Sequence, residues 1–425
     1  MNRIISSRIK RWFNVVSTFL IGQGSVQAIN LVTGFFLLRW MSVEDFAQYS
    51  VAFGFQSTVG ILVDVGFTGS IITLVGDRGA DKAVVGSYIC SARYFRNRML
   101  ALLIPLSAVG FFLLTARQHW SLLTSVLLFI SIVISIFFNG ERGFYLGPLL
   151  IHQKLNQVYS TQIVSSVVRL GISYLFNLMS LLSAWVNAWV SAFSIFLNCW
   201  SYRRDSKGIY IEPVKADPKV TRQMVKYISP LIPGIIFYAF QGQITIFLIS
   251  IFGQTQNIAE IAALGRLGQL FAILTTFNSV VISPYIARVA KQKIAKRYFQ
   301  VMGIAIIISA FICLFGFMFP KAILWILGSK YQRLGFEASL IIVASCINYI
   351  NSVVWTINKS RQWIYLWHTS LMVSLTILVQ VFCMINMKLD STINMIIFSI
   401  ITSVVSLLVS LIGSGYGFYK GTMNE

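Results

Sequence analysis

Acidic side chains are scarce in this sequence. It contains 13 Asp and Glu against 34 Lys and Arg, a formal net charge of +21, and only 11% charged residues. A soluble globular domain has about 25% charged residues, so this composition argues against an ordinary soluble fold. An excess of base in a soluble protein would indicate nucleic-acid binding. Here the basic residues lie between apolar segments, which the positive-inside rule explains better, and no nucleic-acid partner is expected.

Sequence patterns of enzymes and metal sites are missing as well. The five cysteines lie far apart and the three histidines are scattered. The sequence has no GxxxxGK[ST] or HExxH pattern and no carboxylates paired at a fixed spacing. No catalytic residue, metal site or cofactor is therefore predicted, and the protein is not expected to be an enzyme. Any active transport would run on a proton or sodium gradient.

Long apolar runs dominate instead, with 56% hydrophobic residues and a mean hydropathy of +0.75. A membrane-spanning helix needs about 20 mostly apolar residues. The first run continues to Leu38 without a cleavage pattern, so it is predicted to be a retained span rather than a signal peptide. The sequence predicts an all-α integral membrane protein with twelve transmembrane helices, at residues 12–38, 46–75, 94–115, 120–138, 155–176, 180–200, 228–252, 258–285, 298–319, 336–357, 362–386 and 391–413.

The basic residues indicate the orientation of these spans. The segments on the side of the N-terminus hold 26 Lys and Arg, and the loops on the other side hold 6. The remaining two, Arg169 and Arg266, fall inside spans, which accounts for all 34. By the positive-inside rule, both termini are predicted to be cytoplasmic.

The longest loop falls at the midpoint of the chain and is strongly basic. The predicted domains are an N-terminal six-helix bundle at 1–200, a basic cytoplasmic linker at 201–226 and a C-terminal six-helix bundle at 227–425. An even number of spans in each half makes any internal repeat parallel, with its axis along the membrane normal. A shift of 212 residues lays Phe46 over Ile258, each near the start of the second span of its half.

Arg169 and Arg266 are the strongest functional signal. An arginine at the centre of a spanning helix costs about 2.5 to 3.5 kcal/mol, so it is kept only where it meets protein or water. At 1.5 Å per residue, Arg169 lies roughly 21 Å from the inner face and Arg266 roughly 12 Å from the outer face. A guanidinium binds phosphate or carboxylate in bidentate fashion and stays charged when buried. Both are candidate ligands of an anionic group in a central cavity; the alternative is that each pairs with the carbonyl end of a helix.

Polar residues recur at helical spacing in several spans. They are predicted to line the same cavity, although polar side chains also hold helices together in lipid. Asp64, in the second span, is predicted to be either a coupling site for a proton or cation or a structural carboxylate. Pro230 and Pro233 predict a kink in the seventh span. The predicted polar lining comprises Gln23, Gln27, Asn30, Gln162, Ser166, Asn187 and Gln269.

Two charged clusters lie near the ends of predicted spans. Arg39 is close in sequence to Glu44 and Asp45, which predicts a surface ion pair. Glu141 and Arg142 are adjacent, which predicts either a similar local pair or side chains at the inner mouth of the cavity.

Three short motifs resemble a known family. In Leu38–Tyr49, LRWMSVEDFAQY, an arginine ends the first span and a turn similar to S-x-E-[DE]-F-G-x-Y opens the second. Val63–Phe67 resembles a recurrent D-[LV]-G, and Trp325–Tyr331, WILGSKY, resembles W-x-x-G-x-x-[YF]. The family is the polysaccharide, or O-antigen, flippase group (Wzx-like) of the multidrug, oligosaccharidyl-lipid and polysaccharide (MOP) exporter superfamily. The sequence departs from it at Ala47, where glycine is usual, and at Ile261, where tyrosine is common.

The resemblance implies a V-shaped pair of six-helix bundles around a cationic cavity, in the bacterial inner membrane. It implies a flippase that moves an undecaprenyl-diphosphate-linked oligosaccharide from the cytoplasmic to the periplasmic leaflet by ion-coupled alternating access. Arg169 and Arg266 would receive the diphosphate or acidic sugars. The implied partners are the lipid-linked oligosaccharide, membrane lipid, a polysaccharide polymerase and a chain-length regulator.

Two alternatives remain open. A multidrug exporter of the same fold would need carboxylates for cationic drugs, and only Asp64 is clearly inside a predicted span. A membrane-bound O-antigen polymerase, an enzyme, usually carries a large periplasmic loop, whereas the longest loop here is predicted to be cytoplasmic.

Overall fold

The computed structural model describes the backbone of residues 2–211, 213 and 215–423, and the side chains of 21–76, 78–211, 213, 215–279, 281–290 and 292–420. The described residues are helical with short connections and contain no strand. They form two units: Met1–Thr33 with Trp40–Ile251, and Gly34–Arg39 with Phe252–Glu425. We call these unit 1 and unit 2. The predicted domains at 1–200, 201–226 and 227–425 follow chain order rather than packing and stay a prediction.

Unit 1 holds the first ten helices, apart from the segment Gly34–Arg39 of the first and the last residue of the tenth. Their bounds are α1 Asn2–Trp40, α2 Val43–Asp64, α3 Phe67–Val75, α4 Lys82–Arg117, α5 Leu122–Ile151, α6 Leu155–Leu178, α7 Ala184–Asp205, α8 Pro218–Ile228, α9 Ile232–Gln241 and α10 Ile244–Phe252. Asp81 accepts from the backbone N–H groups of Ala83 and Val84 at the start of α4, and Asp217 from that of Lys219 in α8. Each cap satisfies N–H groups that the first turn of a helix leaves without partners.

Unit 2 holds the remaining helices: α11 Thr255–Phe277, α12 Ser283–Ala287, α13 Ile294–Met318, α14 Pro320–Leu327, α15 Gly335–Ser360, α16 Leu366–Asn386 and α17 Thr392–Met423. Between α11 and α12 the helix widens to a π-turn at Asn278–Ile282. Asn278 is fully buried there, and its Nδ2 donates to Ser352 Oγ over 3.0 Å. A π-turn inside a helix commonly marks a functional position or a bend.

Eight of the described helices are long and apolar enough to cross a membrane, or up to ten if each of two bent helix pairs counts as one span. The chain is therefore a multi-pass membrane protein. The two predicted spans outside this set coincide with α6 and α7, which have 24 and 22 residues. The number of twelve spans and the cytoplasmic termini stay predictions. The side chains of the basic residues in the N-terminal tail, Arg3, Arg8, Lys10 and Arg11, are outside the described part of the chain.

Two predicted spans are broken rather than straight. The second bends by 41° between α2 and α3, at Val65 and Gly66, both of which have positive φ. The seventh has a 3₁₀ turn at Ser229–Leu231, around Pro230, as the prolines predicted. Its sharper bend, 52°, lies further along, between Gln241 and Ile244, where no proline stands.

The N-termini of α2 and α11 each contact the first residue of a later helix. Asp45 Oδ1 accepts from the backbone N–H of Ala184, the first residue of α7, over 2.9 Å. Asn257 Nδ2 donates to Oγ1 of Thr392, the first residue of α17, over 3.3 Å. Position 45 plus 212 is 257, so these contacts match the register of the predicted repeat. They also give Asp45 a partner other than Arg39, and Glu44 accepts from Gln48 instead.

Arg39 lies against the WILGSKY turn within unit 2, so the predicted surface ion pair is wrong. Its guanidinium stacks over the ring of Trp325 at 4.8 Å, and Nη2 donates to the Trp325 carbonyl over 2.5 Å. Lys330 Nζ donates to the carbonyl of Arg39 over 3.0 Å, and burial lowers the pKa of Lys330. Trp325 and Lys330 of the motif therefore hold Arg39, in the last turn of α1.

Replacing Gly328 with alanine is expected to destabilise the protein by about 1 to 3 kcal/mol, the usual cost of holding a residue other than glycine in such a conformation. Gly328 has φ +98°, and a Cβ there would lie 3.1 Å from Arg39 Cγ. The measurement is thermal unfolding in detergent. Gly303→Ala is the control, because a Cβ at that helical position meets no heavy atom within 4 Å. Equal melting temperatures for the two variants would contradict the strain at Gly328.

Candidate functional site

Cavities with charged residues in their walls are found in both units, one of about 340 Å³ in unit 2 and a larger one in unit 1. Its volume is about 620 Å³, and α2, α3, α4, α5 and α9 contribute to its wall. Volumes of roughly 300 to 1,000 Å³ are typical of ligand sites. Its polar and charged lining comprises Gln56, Ser57, Asp64, Thr68, Arg96, Asn139 and Arg142.

Arg96 is the most deeply buried charge in this cavity wall, with 1% of its surface exposed. Nη2 donates to Glu141 Oε1 over 2.6 Å, and Arg93 Nη2 donates to the other carboxylate oxygen over 3.1 Å. The guanidinium of Arg96 also lies over the Phe144 ring, 4.9 Å from its centre. The Glu141 carboxylate therefore bridges two arginines. The attraction between the opposite charges offsets the free-energy cost of removing the three groups from water.

The two arginines of the wall have hydrogen-bonding capacity left over. The buried Nε and Nη1 of Arg96 and the buried Nε of Arg142 have no hydrogen-bond partner within the described part of the chain. Arg93 and Arg96 are bonded to Glu141, and Asp64 lies on the same cavity wall as Arg96 and Arg142. Three arginines and two carboxylates give this region one net positive charge. Unused, charged N–H donors in a polar cavity suit an oxyanion.

The segment Asn139–Gly143, NGERG, builds this wall from the middle of α5. A Cβ on Gly140 would lie 2.8 Å from Cδ and Nη1 of Arg96, so only glycine leaves room for that side chain. Glu141 turns toward Arg93 and Arg96 rather than toward its neighbour, so the predicted Glu141–Arg142 pair is wrong. Arg142 lines the cavity in unit 1, whereas the alternative, that Glu141 and Arg142 line the inner mouth of a central cavity, stays a prediction.

Asp64 lies at the break between α2 and α3, on the same cavity. Its Oδ1 accepts from the backbone N–H of Thr68 over 3.2 Å and from the Thr68 hydroxyl. Those bonds cap the start of α3, as a structural carboxylate would. Because Asp64 also lines the cavity, its position suits both predicted roles.

Arg169, on α6, is half-buried and oriented by a tyrosine. Nη2 donates to the hydroxyl of Tyr49 over 2.9 Å. Tyr49 is 3% exposed and its hydroxyl also lies 3.5 Å from Ser191 Oγ. The buried Nε of Arg169 has no hydrogen-bond partner among the residues described. The guanidinium is thus held from one side and keeps an unused donor.

Arg266, on α11, is half-buried in unit 2. Nη1 donates to Gln269 Oε1 over 3.1 Å, one helical turn further on. A Cβ on Gly34 would lie 3.2 Å from the same nitrogen, so the arginine packs over a glycine of α1. Gln269, a predicted lining residue, is therefore a direct neighbour of the predicted anion ligand.

The other predicted lining residues fall into two groups. Asn187 is fully buried and accepts from Ser173 over 3.1 Å, while Ser166 is 8% exposed and Gln162 donates to the Tyr202 hydroxyl. These contacts lie in the packing of α6 and α7. Gln23, Gln27 and Asn30 lie on α1 and are half-buried or exposed. Their role as cavity lining stays a prediction.

A carboxylate that the sequence reading passed over lies within α11. Glu260 is 4% exposed and accepts from Arg333, from Gln256 over 3.0 Å and from Thr392 over 2.6 Å. Asp64 is therefore not the only acidic residue inside a span, and that prediction is wrong. Three donors, from α11, from the loop before α15 and from α17, meet at this carboxylate, which makes it a structural junction.

Sequence reasoning also missed Arg96, because the third span was predicted to begin at 94 and its first basic residues were counted in a loop. The helix instead runs without interruption from Lys82 to Arg117. A usable signal was present: the charged pair Glu141–Arg142 stands between two glycines inside an otherwise apolar run.

No protein-family model matches the sequence, and no curated protein matches it. Solved structures do match. An inward-facing multidrug resistance transporter of the MATE family, in the MOP superfamily, has a TM-score of 0.66 and 12% identity over 94% of both chains. The lipid II flippase MurJ, in an inward closed conformation, has a TM-score of 0.64 and 12% identity over 96% of this chain and 90% of its own.

A third match is a MOP superfamily transporter from Pyrococcus furiosus, described as having a binding pocket of reverse polarity. It has a TM-score of 0.56 and 13% identity, and covers 96% of this chain and 94% of its own. At such identities the similarity shows the fold alone. The chain has the all-α fold of MOP superfamily transporters, so the coarse part of the predicted fold is confirmed.

Proposed function

We propose that this protein is a flippase that translocates an anionic, lipid-linked oligosaccharide across the bacterial inner membrane by alternating access. The substrate would be an undecaprenyl-diphosphate-linked repeat unit of O-antigen or a similar polysaccharide. The observation that supports this most is that Arg96, Arg142 and Arg169 in unit 1 each keep a buried N–H donor without a hydrogen-bond partner among the described residues. Such donors match the oxygens of a diphosphate or of acidic sugars.

The buried acids support the same choice over a multidrug exporter. Glu141 is bonded to two arginines and Glu260 to Arg333 and Thr392, so the charge of each is offset, whereas Asp64 accepts from Thr68, which carries no charge. A site for amphipathic cations would need carboxylates whose charge is not already offset. The MATE and MurJ structures share the fold equally well, so fold alone favours neither substrate.

Two further parts of the proposal concern coupling and partners. Asp64 would bind a proton or sodium ion, since it lines the cavity beside Arg96 and Arg142. A polysaccharide polymerase and a chain-length regulator would act on the delivered repeat units. Arg266 with Gln269 would bind the substrate in unit 2, as Arg169 would in unit 1.

The second candidate, an exporter of cationic drugs, is favoured by one observation: Asp64 is a carboxylate on the wall of a polar cavity. The polymerase is the weaker alternative, because the proteins named above as sharing the fold are transporters.

Deletion of the gene separates the three functions. We expect complete repeat units to accumulate on undecaprenyl diphosphate in the cytoplasmic leaflet, with loss of surface polysaccharide and recovery on complementation with the wild-type gene. Single repeat units on the surface glycolipid would indicate a polymerase instead. A normal lipid-linked pool with increased sensitivity to cationic drugs would indicate the exporter.

A further inference from the structure

An apolar groove runs along unit 1, separate from the polar cavity. Its volume is about 700 Å³, and its walls come from α2, α4, α9 and α10. Along α4 it extends from Leu103 to Arg117, which is roughly 21 Å at 1.5 Å per residue. That length exceeds half of the roughly 30 Å hydrocarbon core, so a lipid chain of one leaflet fits along it.

Aromatic contacts form the floor of this groove. The ring of Phe55 meets Phe111 edge to face at 5.2 Å and Phe247 at 5.1 Å. Thr58 Oγ1 donates to the Ala239 carbonyl over 3.1 Å, which joins α2 to α9 beneath the groove. These contacts fix the floor, whereas Leu106 and Leu113 on the rim are 67% and 68% exposed.

The end of the groove differs chemically from its length. Gln118 Nε2 donates to the Ser250 carbonyl over 2.8 Å, so the ends of α4 and α10 are tied together there. Arg117 lies beside this tie, is exposed, and is the one charged side chain in the groove wall that the structure describes. The groove is therefore apolar along its length and cationic at one end.

We propose that this groove binds a phospholipid with an anionic headgroup, with one acyl chain lying along the groove and its phosphate at Arg117. Charge complementarity selects the anionic headgroup, since the cation lies at the end of the groove and apolar side chains cover the rest. The positive-inside count assigns Arg117 to the outer side, which would place the lipid in the outer leaflet. The proposal does not depend on the transported substrate.

The test measures lipid retained by the full-length protein. Protein purified in detergent is incubated with phosphatidylglycerol or phosphatidylcholine of the same acyl chains and studied by native mass spectrometry. The wild type is expected to retain one phosphatidylglycerol in at least fivefold preference to phosphatidylcholine. Arg117→Gln is expected to abolish that preference, and Arg98→Gln, on the same helix but outside the groove, to keep it.

A second variant tests the groove itself. Gly110→Leu places a side chain in the groove, because a Cβ on Gly110 would lie 3.8 Å from Phe55 Cε1. This variant is expected to retain at least tenfold less phosphatidylglycerol than the wild type. Gly171→Leu is the control, because a Cβ there meets nothing within 4 Å. Unchanged retention in Gly110→Leu, or unchanged preference in Arg117→Gln, would overturn the proposal. So would undecaprenyl phosphate binding more tightly than phosphatidylglycerol, because the occupant would then be a prenyl lipid.

Discussion

Replacing Glu141 with glutamine is expected to lower the melting temperature of the purified protein by roughly 5 °C or more. The change removes the carboxylate that Arg93 and Arg96 share, and leaves the charge of Arg96, 1% exposed, without its counter-charge. Breaking a buried ion pair from one side costs about 3 to 5 kcal/mol. A change of 1 kcal/mol shifts the melting temperature of a 150- to 250-residue protein by about 2 to 4 °C.

The control for this variant is Asp205→Asn, which breaks an ion pair with Arg204, a side chain that is 62% exposed. Exposed pairs contribute about 0 to 1 kcal/mol, so little change is expected. The double variant Glu141→Gln, Arg96→Met should regain much of the loss, because it also removes the buried charge that Glu141→Gln leaves without its counter-charge. A loss in the double variant equal to that of Glu141→Gln alone would show that the buried charge is not the cause.

The sequence predicted what depends on hydropathy and on local composition. Runs of about 20 apolar residues fall on helices throughout the described chain, and Arg39 and the WILGSKY turn were both recognised as parts of motifs. What each motif does could not be predicted, because Arg39 and Trp325 are 286 positions apart in the chain. Their contact depends on packing of distant helices, which no local pattern encodes.

The charged residues show the same division. Arg169 and Arg266 are visible in sequence because a charge within an apolar run is unusual. Arg96 was not visible, since Arg93, Arg96 and Arg98 read as a basic loop although they continue a 36-residue helix. Glu260 lies near the start of its span and was not singled out. Its partners, Arg333 and Thr392, come from distant segments of the chain. The burial of Glu260 therefore depends on the packing of those segments and could not be predicted from its neighbours in the sequence.

Tyr49 is the clearest case of a residue whose role only the fold explains. It stands in the motif at the start of α2, where sequence reasoning used it to recognise a family. In the structure its hydroxyl accepts from Arg169, which is 120 positions further along. A motif tyrosine therefore orients a buried arginine, which links the resemblance to the candidate site.

Replacing Arg169 with alanine is expected to abolish surface polysaccharide while the protein still inserts in the membrane. The guanidinium is held by Tyr49 and keeps a buried Nε available, so its loss removes the anion ligand that the proposed substrate requires. Arg266→Ala is expected to have the same effect in unit 2. The measurement is surface polysaccharide in a deletion strain that carries each variant, with membrane levels of the protein determined by immunoblot.

Two substitutions separate charge from geometry at this position. Arg169→Lys should retain part of the activity if charge dominates, although lysine loses the bidentate fork. Tyr49→Phe removes only the hydroxyl that accepts from Arg169 Nη2, so an intermediate loss of surface polysaccharide is expected. The control is Arg204→Ala, an exposed arginine whose loss is expected to leave the amount of polysaccharide unchanged. Normal polysaccharide in both Arg169→Ala and Arg266→Ala would refute their assignment as ligands. If Arg96→Ala and Arg142→Ala were then inactive while present at normal levels, the anion site would be the cavity built around the NGERG segment instead.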